Sequence, residues 1–378
     1  MKTIPDLLYV LALQHARGVG DIMAKKLIAR CGSARAVFEE RPDRLLGING
    51  VGRRVLENIR KKENLEAAEK ELRFLEDHDI GCSYFEQDHY PERLRYCADG
   101  PILLFRSGSA DLNSRKVISI VGTRNITSYG KRFCEKLVSD LASFDPLVVS
   151  GFAYGVDITA HKAALACGLQ TVGCLAHGLN QIYPRAHKPY VSGVEARGGF
   201  VTDFWSSSMP ERENFLKRNR IIAGLSEATV VVESAAKGGA LVTAGIAHSY
   251  HREVFAVPGR TEDRYSEGCN NLIRSHKAHI LTSAEDLVYL LGWHRELLLA
   301  RQEASLKNSG QASLFPQLDA TEQKVYAFLS EHGREMLDII ALRCEIPVYR
   351  LSPVLLAMEM KGVVRPLPGK LFEAVFSA

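Results

Sequence analysis

The chain has 378 residues, 46% of them hydrophobic and 24% charged, with 48 Lys and Arg against 44 Asp and Glu. This is enough apolar material for two or three ordinary cores, which excludes a disordered chain, and no apolar run reaches the roughly 18 residues a membrane-spanning helix needs. A net charge of +4 is too small for a general polyanion surface, so any nucleic-acid site has to come from local clustering.

Eight cysteines stand singly at 31, 82, 97, 134, 167, 174, 269 and 344, without a CxxC pair. Together with the lack of a secretory leader, that pattern predicts reduced thiols in a soluble cytoplasmic protein. Lys2 and LLYVLAL imitate a signal peptide, but Pro5 and Asp6 precede a short apolar run with no small-residue cleavage site, which favours an amphipathic helix.

Residues 1–62 contain two similar units, ARGVGDIMAKKLIARCGS and LLGINGVGRRVLENIRKK. Each is an apolar lead-in, a GVG turn and a basic amphipathic helix, and the pair resembles helix-hairpin-helix motifs. Such turns open a helix N-terminus to a phosphate, or they serve packing alone. The charged helix KKENLEAAEKELRFLEDHDI then closes a helical region over residues 1–78.

Residues 79–300 alternate strand and helix signals. IGCSYF, PILLFRSG, KVISIVGTR, PLVVSG, TVGCLAHG, GGFVTDF, ATVVVES and EVFAVPG read as short strands, while YGKRFCEKLVSDLASF, DITAHKAALACG and LKRNRIIAG read as helices. The alternation predicts a Rossmann-like, doubly wound, mostly parallel sheet. GxGxxG and GxxxxGK[ST] are both absent, so neither a dinucleotide fingerprint nor a P-loop is expected. The strand ends instead carry Gly122, Thr123 and Arg124; Ser150, Gly151 and Gly155; and Lys237, Gly238 and Gly239. Convergence of these ends beyond the carboxyl edge, together with Arg218, Asn219 and Arg220, points to phosphate binding.

The motifs VSGFAYGVDITAHKAAL, LAHGLNQIYPRAH, FLKRNRIIAGLSEATVVVES, GGALVTA, EVFAVPG and EGCNNLI follow one another in the order of the DNA-processing protein A family, DprA or Smf, which the chain resembles over roughly residues 80–290. The resemblance implies a non-enzymatic protein without metal or cofactor that binds single-stranded DNA, forms homodimers and loads the RecA recombinase during natural transformation. Matched motif by motif, it implies a DNA pocket built from Arg124, Phe215, Arg218, Asn219, Arg220, Lys237 and Gly239, to which the converging strand ends add Gly122, Ser150 and Gly151. Arg124, Arg220 and Lys237 would neutralise phosphates, and Phe215 would stack a base of any identity. Where the family usually has SGLA with GID, Ser-Glu and Ser, this chain has SGFAYGVD, Thr202 with Asp203, and Gly238; the last removes one hydroxyl contact. SHKAHI also replaces a more usual Gly-Ala.

A second reading is a nucleotide-handling enzyme of the lysine-decarboxylase-like phosphoribohydrolase type. It is disfavoured because ALVTAGIAHSY lacks the expected Glu, and release of a base from a nucleoside monophosphate would discriminate for it. Asp157 with His161 has the spacing of half a metal site without a third ligand, and His248 with His251, and His276 with His279, read as solvated helix faces. Glu233, at a strand end, could act as a base or orient basic side chains.

Residues 301–320 read as a polar linker, and 321–378 as three helices and a wing, a winged helix. Its presumed recognition helix, from about Tyr349 to Met360, carries Arg350 but is otherwise apolar. Protein contact or packing therefore competes with duplex binding.

Overall fold

β-Branched runs such as Val117–Val121 and Ala228–Val231 carry no polar alternation, so both faces of the strands they form must be covered. The computed structural model describes residues 6–114, 116–294, 318–367 and 370–375. The chain divides into two units, Met1–His294 and Arg295–Ala378.

The first unit holds a nine-stranded sheet: β1 (Gly81–Tyr84), β2 (Leu103–Gly108), β3 (Val117–Val121), β4 (Leu147–Ser150), β5 (Thr171–Cys174), β6 (Gly198–Thr202), β7 (Ala228–Val231), β8 (Glu253–Ala256) and β9 (His279–Ile280). Their order is β1-β2-β6-β5-β4-β3-β7-β8-β9. β1 and β2 add antiparallel at one edge, and every pairing from β6 to β9 is parallel.

The chain winds outward from β3 to β6, then returns to place β7 against the other side of β3. That reversal opens a crevice beyond the carboxyl ends of β3 and β7. Ile118, Ile120, Val148 and Val230 pack under Cys134, Leu137 and Val138 of α8 (Ser128–Leu141) and Ala160 of α9 (Val156–Ala166). On the opposite face Val117, Val149, Val172 and Val231 meet Ile221 and Ile222 of α11 (Arg212–Leu225) and Ala244 of α12 (Gly239–Ser249). The expected doubly wound, mostly parallel architecture is what forms. β9 was not anticipated, since two residues carry no periodicity.

Six helices precede the sheet: α1 (Leu7–His15), α2 (Asp21–Cys31), α3 (Ala34–Glu39), α4 (Pro42–Leu46), α5 (Arg53–Ile59) and α6 (Lys62–Asp77). The two GVG units adopt the same local geometry. Gly18 and Gly50 take φ of 88° and 94°, a conformation that side chains rarely adopt, and Gly20 and Gly52 are the N-caps of α2 and α5. Each turn faces the other unit's helix, Gly18 toward Val55 and Gly50 toward Met23. These helices share one core with Tyr84, Leu103 and Phe105 of the antiparallel edge, so packing is continuous across residue 79. The expected boundary near 300 and most of the linker lie outside the described residues.

In the second unit, helices Ala320–His332, Leu337–Arg343 and Val348–Met360 enclose Val325, Leu329, Ile340, Leu351, Leu355 and Met358. β11 (Val364–Leu367) and β12 (Leu371–Ala374) make the wing, and the short β10 (Glu335–Met336) joins β12. This is the winged helix that the tail predicted, with β10 as an addition. Its third helix exposes Tyr349, Leu356 and Met360, matching the apolar character read from its sequence.

Burial leaves a pH signature in the first unit. His161 is 0% exposed, its Nδ1 lies 2.7 Å from Thr171 Oγ1, and burial pushes its pKa down to about 3. Burial lowers His177 and His187 as well. An unfolded histidine titrates near 6.5, so below that pH the unfolded chain binds protons that the folded one refuses. Stability contributed by His161 is complete above about 6.5 and falls by roughly 1.4 kcal/mol per pH unit down to its folded pKa, about 2 kcal/mol by pH 5. Urea unfolding at pH 7.5 and 5.0 should show a shallower loss for His161→Gln than for the native chain. Equal slopes would remove His161 from the acid sensitivity.

Candidate nucleic-acid interface

Loops after β3 and β7 and the facing sides of α11 and α12 enclose a cavity of about 700 Å³. Of the residues expected there, Gly122, Arg124, Phe215, Arg218, Asn219, Lys237 and Gly239 line it. α11 supplies Phe215, Arg218, Asn219 and Ile222, the i, i+3, i+4, i+7 stripe of a single helical face. Ser150 and Gly151 lie below this surface. Ser150 Oγ donates to Ile120 O at 2.6 Å, and a Cβ on Gly151 would fall 2.5 Å from Asp157 Oδ2 and 2.7 Å from Arg218 Nη2.

The floor is set by Arg218, which is 4% exposed. Its guanidinium donates to Gly151 O at 2.7 Å and to Cys174 O, joining the ends of β4 and β5. Burial lowers the Arg218 pKa, with the Asp157 carboxylate opposing that shift. Above the floor the Phe215 ring has the Arg124 guanidinium 5.2 Å and the Arg218 guanidinium 5.8 Å from its centroid. Tyr183 stands 5.8 Å away at an interplanar angle of 59°. Arg124 and Lys237 are exposed. Gly238, the N-cap of α12, supplies no capping side chain, which leaves first-turn N–H groups open beside Lys237. The crevice can therefore hold a planar apolar group on Phe215 and an anion between the loop amides and the two free cations.

Arg220 departs from expectation. Two residues beyond Arg218, it points away from the crevice and forms ion pairs with Asp203 and, at 3.0 Å, Asp21. It also donates to Asp99 O. Burial opposes its charge, but Asp203 and then Asp21 more than offset this and raise its pKa. Asp21 Oδ1 accepts from Ile102 N at 2.8 Å, Trp205 Nε1 donates to Gln14 Oε1 at 2.8 Å, and Ser206 N donates to Glu71 Oε1 at 2.8 Å. Arg220 thus belongs to the polar seam that fixes the N-terminal helices to the sheet.

Glu233 is also differently employed. Its carboxylate accepts from Thr127 N and Thr127 Oγ1 at the start of α8, so it anchors a helix end instead of orienting Arg or Lys or serving as a base. Asp157 Oδ2 faces Ala153 N and the Arg218 guanidinium, while His161 turns to Thr171, so the two do not converge on one point. The pairs His248 with His251 and His276 with His279 border one cavity of about 610 Å³. All four are exposed, but His251 and His276 lie in turns after helices, not on helix faces. Among the described residues no group of three or more His, Cys, Asp or Glu is arranged to hold a metal ion.

Among the lining residues that escaped the sequence reading are Tyr183, Arg212, Arg264 and Tyr265. Tyr183 stood inside a quoted motif, LAHGLNQIYPRAH, where an aromatic in a polar loop was an available signal. Arg264 and Tyr265 lie in a loop whose path was invisible without the fold.

Residues 82–292 match the family described as DNA recombination-mediator protein A. The chain belongs to that family. Residues 311–370 match the DprA winged helix domain. Protein Smf of Synechocystis sp. is 29% identical over 97% of this chain and 98% of its own length, and the DNA processing protein DprA of Bacillus subtilis is 38% identical over 52% of this chain and 67% of its own. The X-ray structure of DNA processing protein A from Streptococcus pneumoniae superposes with a TM-score of 0.63 at 28% identity, covering 76% of this chain and 98% of that one. A structure from Helicobacter pylori, described for the single-stranded DNA binding mode of its DNA processing protein A, gives 0.51 at 26% identity over 56% and 95%. Membership makes this chain a recombination mediator by family. Among the described residues no helix is long and apolar enough to cross a membrane.

Proposed function

We propose that the crevice binds single-stranded DNA irrespective of sequence and that the chain, as a cytoplasmic homodimer, loads RecA onto that strand during transformation. The observation that carries this reading is the Phe215 ring with the Arg124 and Arg218 guanidinium groups 5.2 and 5.8 Å from its centroid, beside the start of α12. A ring accepts any base on its face, and cations with loop amides track a backbone without reading it. The Helicobacter pylori relative, whose structure is described for single-stranded DNA binding, supports the same occupant. The commitment of Glu233 to Thr127 supports a binding role over nucleotide hydrolysis.

Labelled single-stranded and duplex oligonucleotides of equal length, titrated at several salt concentrations, test the proposal. The single strand should bind more tightly. Lys237→Ala should lower the salt slope by about 0.7, one phosphate contact, and Phe215→Ala should cost roughly 1 to 3 kcal/mol with the slope kept. Equal binding of both strands, or variants that behave like the native chain, would move the DNA site elsewhere.

A further inference from the structure

Beside the crevice lies a second cavity, of about 690 Å³, bordered by Thr127, Tyr129, Arg132, Pro258, Arg260 and Asp263 among others. Arg264 and Tyr265 line both cavities, so the two share a wall at the carboxyl ends of β7 and β8. Resting on the single-strand reading, we infer that the second cavity is a continuation of the same binding track, taking the next nucleotides of a strand whose first segment sits at Phe215.

The chemistry of the second cavity repeats that of the first. Arg132, Arg260 and Arg264 are exposed. Asp263 is the exposed carboxylate among them, whereas Glu233, also in the wall, is 2% exposed and spent on Thr127. That buried carboxylate already accepts from Thr127 N and Oγ1 at the start of α8, and the exposed arginines are the cations placed to hold a phosphate.

Two tyrosines supply fixed aromatic faces. Tyr129 is 42% exposed with its hydroxyl anchored on Pro258 O at 2.9 Å. Tyr265 accepts from Asn125 Nδ2 at 3.2 Å, and the Arg264 guanidinium lies 5.9 Å from its ring. A small anionic metabolite would need polar groups converging on one enclosed point. Several exposed cations and two anchored rings spread over an open double cavity fit a polymer with a repeating phosphate and a repeating flat base.

Length dependence tests this inference apart from the function it rests on. Oligo-dT of about 4 and about 12 nucleotides, the span of sites on single-strand-binding folds, would be titrated against native protein, the Arg132→Ala/Arg260→Ala double variant and Lys237→Ala. The double variant should bind the short oligonucleotide as the native chain does. For the longer one it should lose roughly tenfold in affinity and about 1.4 in salt slope, two phosphate contacts. Tyr129→Leu should weaken only the longer one, with its slope intact. Lys237→Ala should weaken both lengths, and if it weakens neither, the crevice reading itself falls. If Lys237→Ala acts while the double variant binds the longer oligonucleotide normally, the track ends at Tyr265 and the inference is overturned.

Discussion

Arg220→Ala should destabilise the first unit by roughly 3 to 5 kcal/mol, the loss expected when one partner of a buried ion network is removed. The Arg220 side chain is 13% exposed, between Asp21 at 19% and Asp203 at 9%. Removing it leaves two carboxylates facing each other at the joint between α2 and the end of β6. Urea unfolding of the variant reads the loss directly. Replacing both acids as well, in an Asp21→Asn/Asp203→Asn/Arg220→Ala protein, should recover part of it, because no unpaired charge then remains. Single-strand binding by the folded Arg220→Ala protein should keep its salt slope. A slope lowered by about 0.7 would return the guanidinium to the DNA, and unchanged stability would make the seam incidental.

The split between Arg218 and Arg220 shows how far the sequence could be read. On an α-helix two residues are separated by about 200°, so the two arginines of LKRNR cannot face the same crevice, and that much follows from periodicity. Which of them turns inward was not available, because the Arg220 partners, Asp203 and Asp21, lie in other elements 17 and 199 residues away. The core strands were legible for the opposite reason. β3, β4 and β7 are buried on both faces, so each is a mostly apolar run ending in a polar or glycine loop, and the polar Ser119 and Thr229 inside β3 and β7 bond each other at 2.8 Å.

Glu233 was legible as a strand-end carboxylate, but its use depends on α8 arriving with Thr127 beneath it. Tyr265 and Arg264 become visible as a wall only once β7 and β8 are adjacent and the chain after β8 folds back over their ends. Motif reading thus named Phe215 and Lys237, which their own helix and loop carry into the cavity wall, and missed those whose role is set by a partner in another element.

Arg218→Ala is expected to be as damaging to the fold as Arg220→Ala and, unlike it, to impair the crevice. The guanidinium joins Gly151 O to Cys174 O, faces Asp157 and sits 5.8 Å from the Phe215 centroid. Its removal leaves two strand-end carbonyls without their donor and the buried Asp157 carboxylate without its neighbouring positive charge, again roughly 3 to 5 kcal/mol, and frees the Phe215 ring to move. Single-strand affinity should fall by at least about tenfold, within the loss expected for one unstacked base, while the salt slope stays native because the buried cation meets no phosphate. Lys237→Ala is the converse case, with native stability and a lowered slope. An Arg218→Ala protein of native stability with a lowered slope would show that this guanidinium reaches the backbone of the strand and that its carbonyl contacts are secondary. Loss of stability and affinity together, at constant slope, would establish the floor of the crevice as the element that holds Phe215 in place.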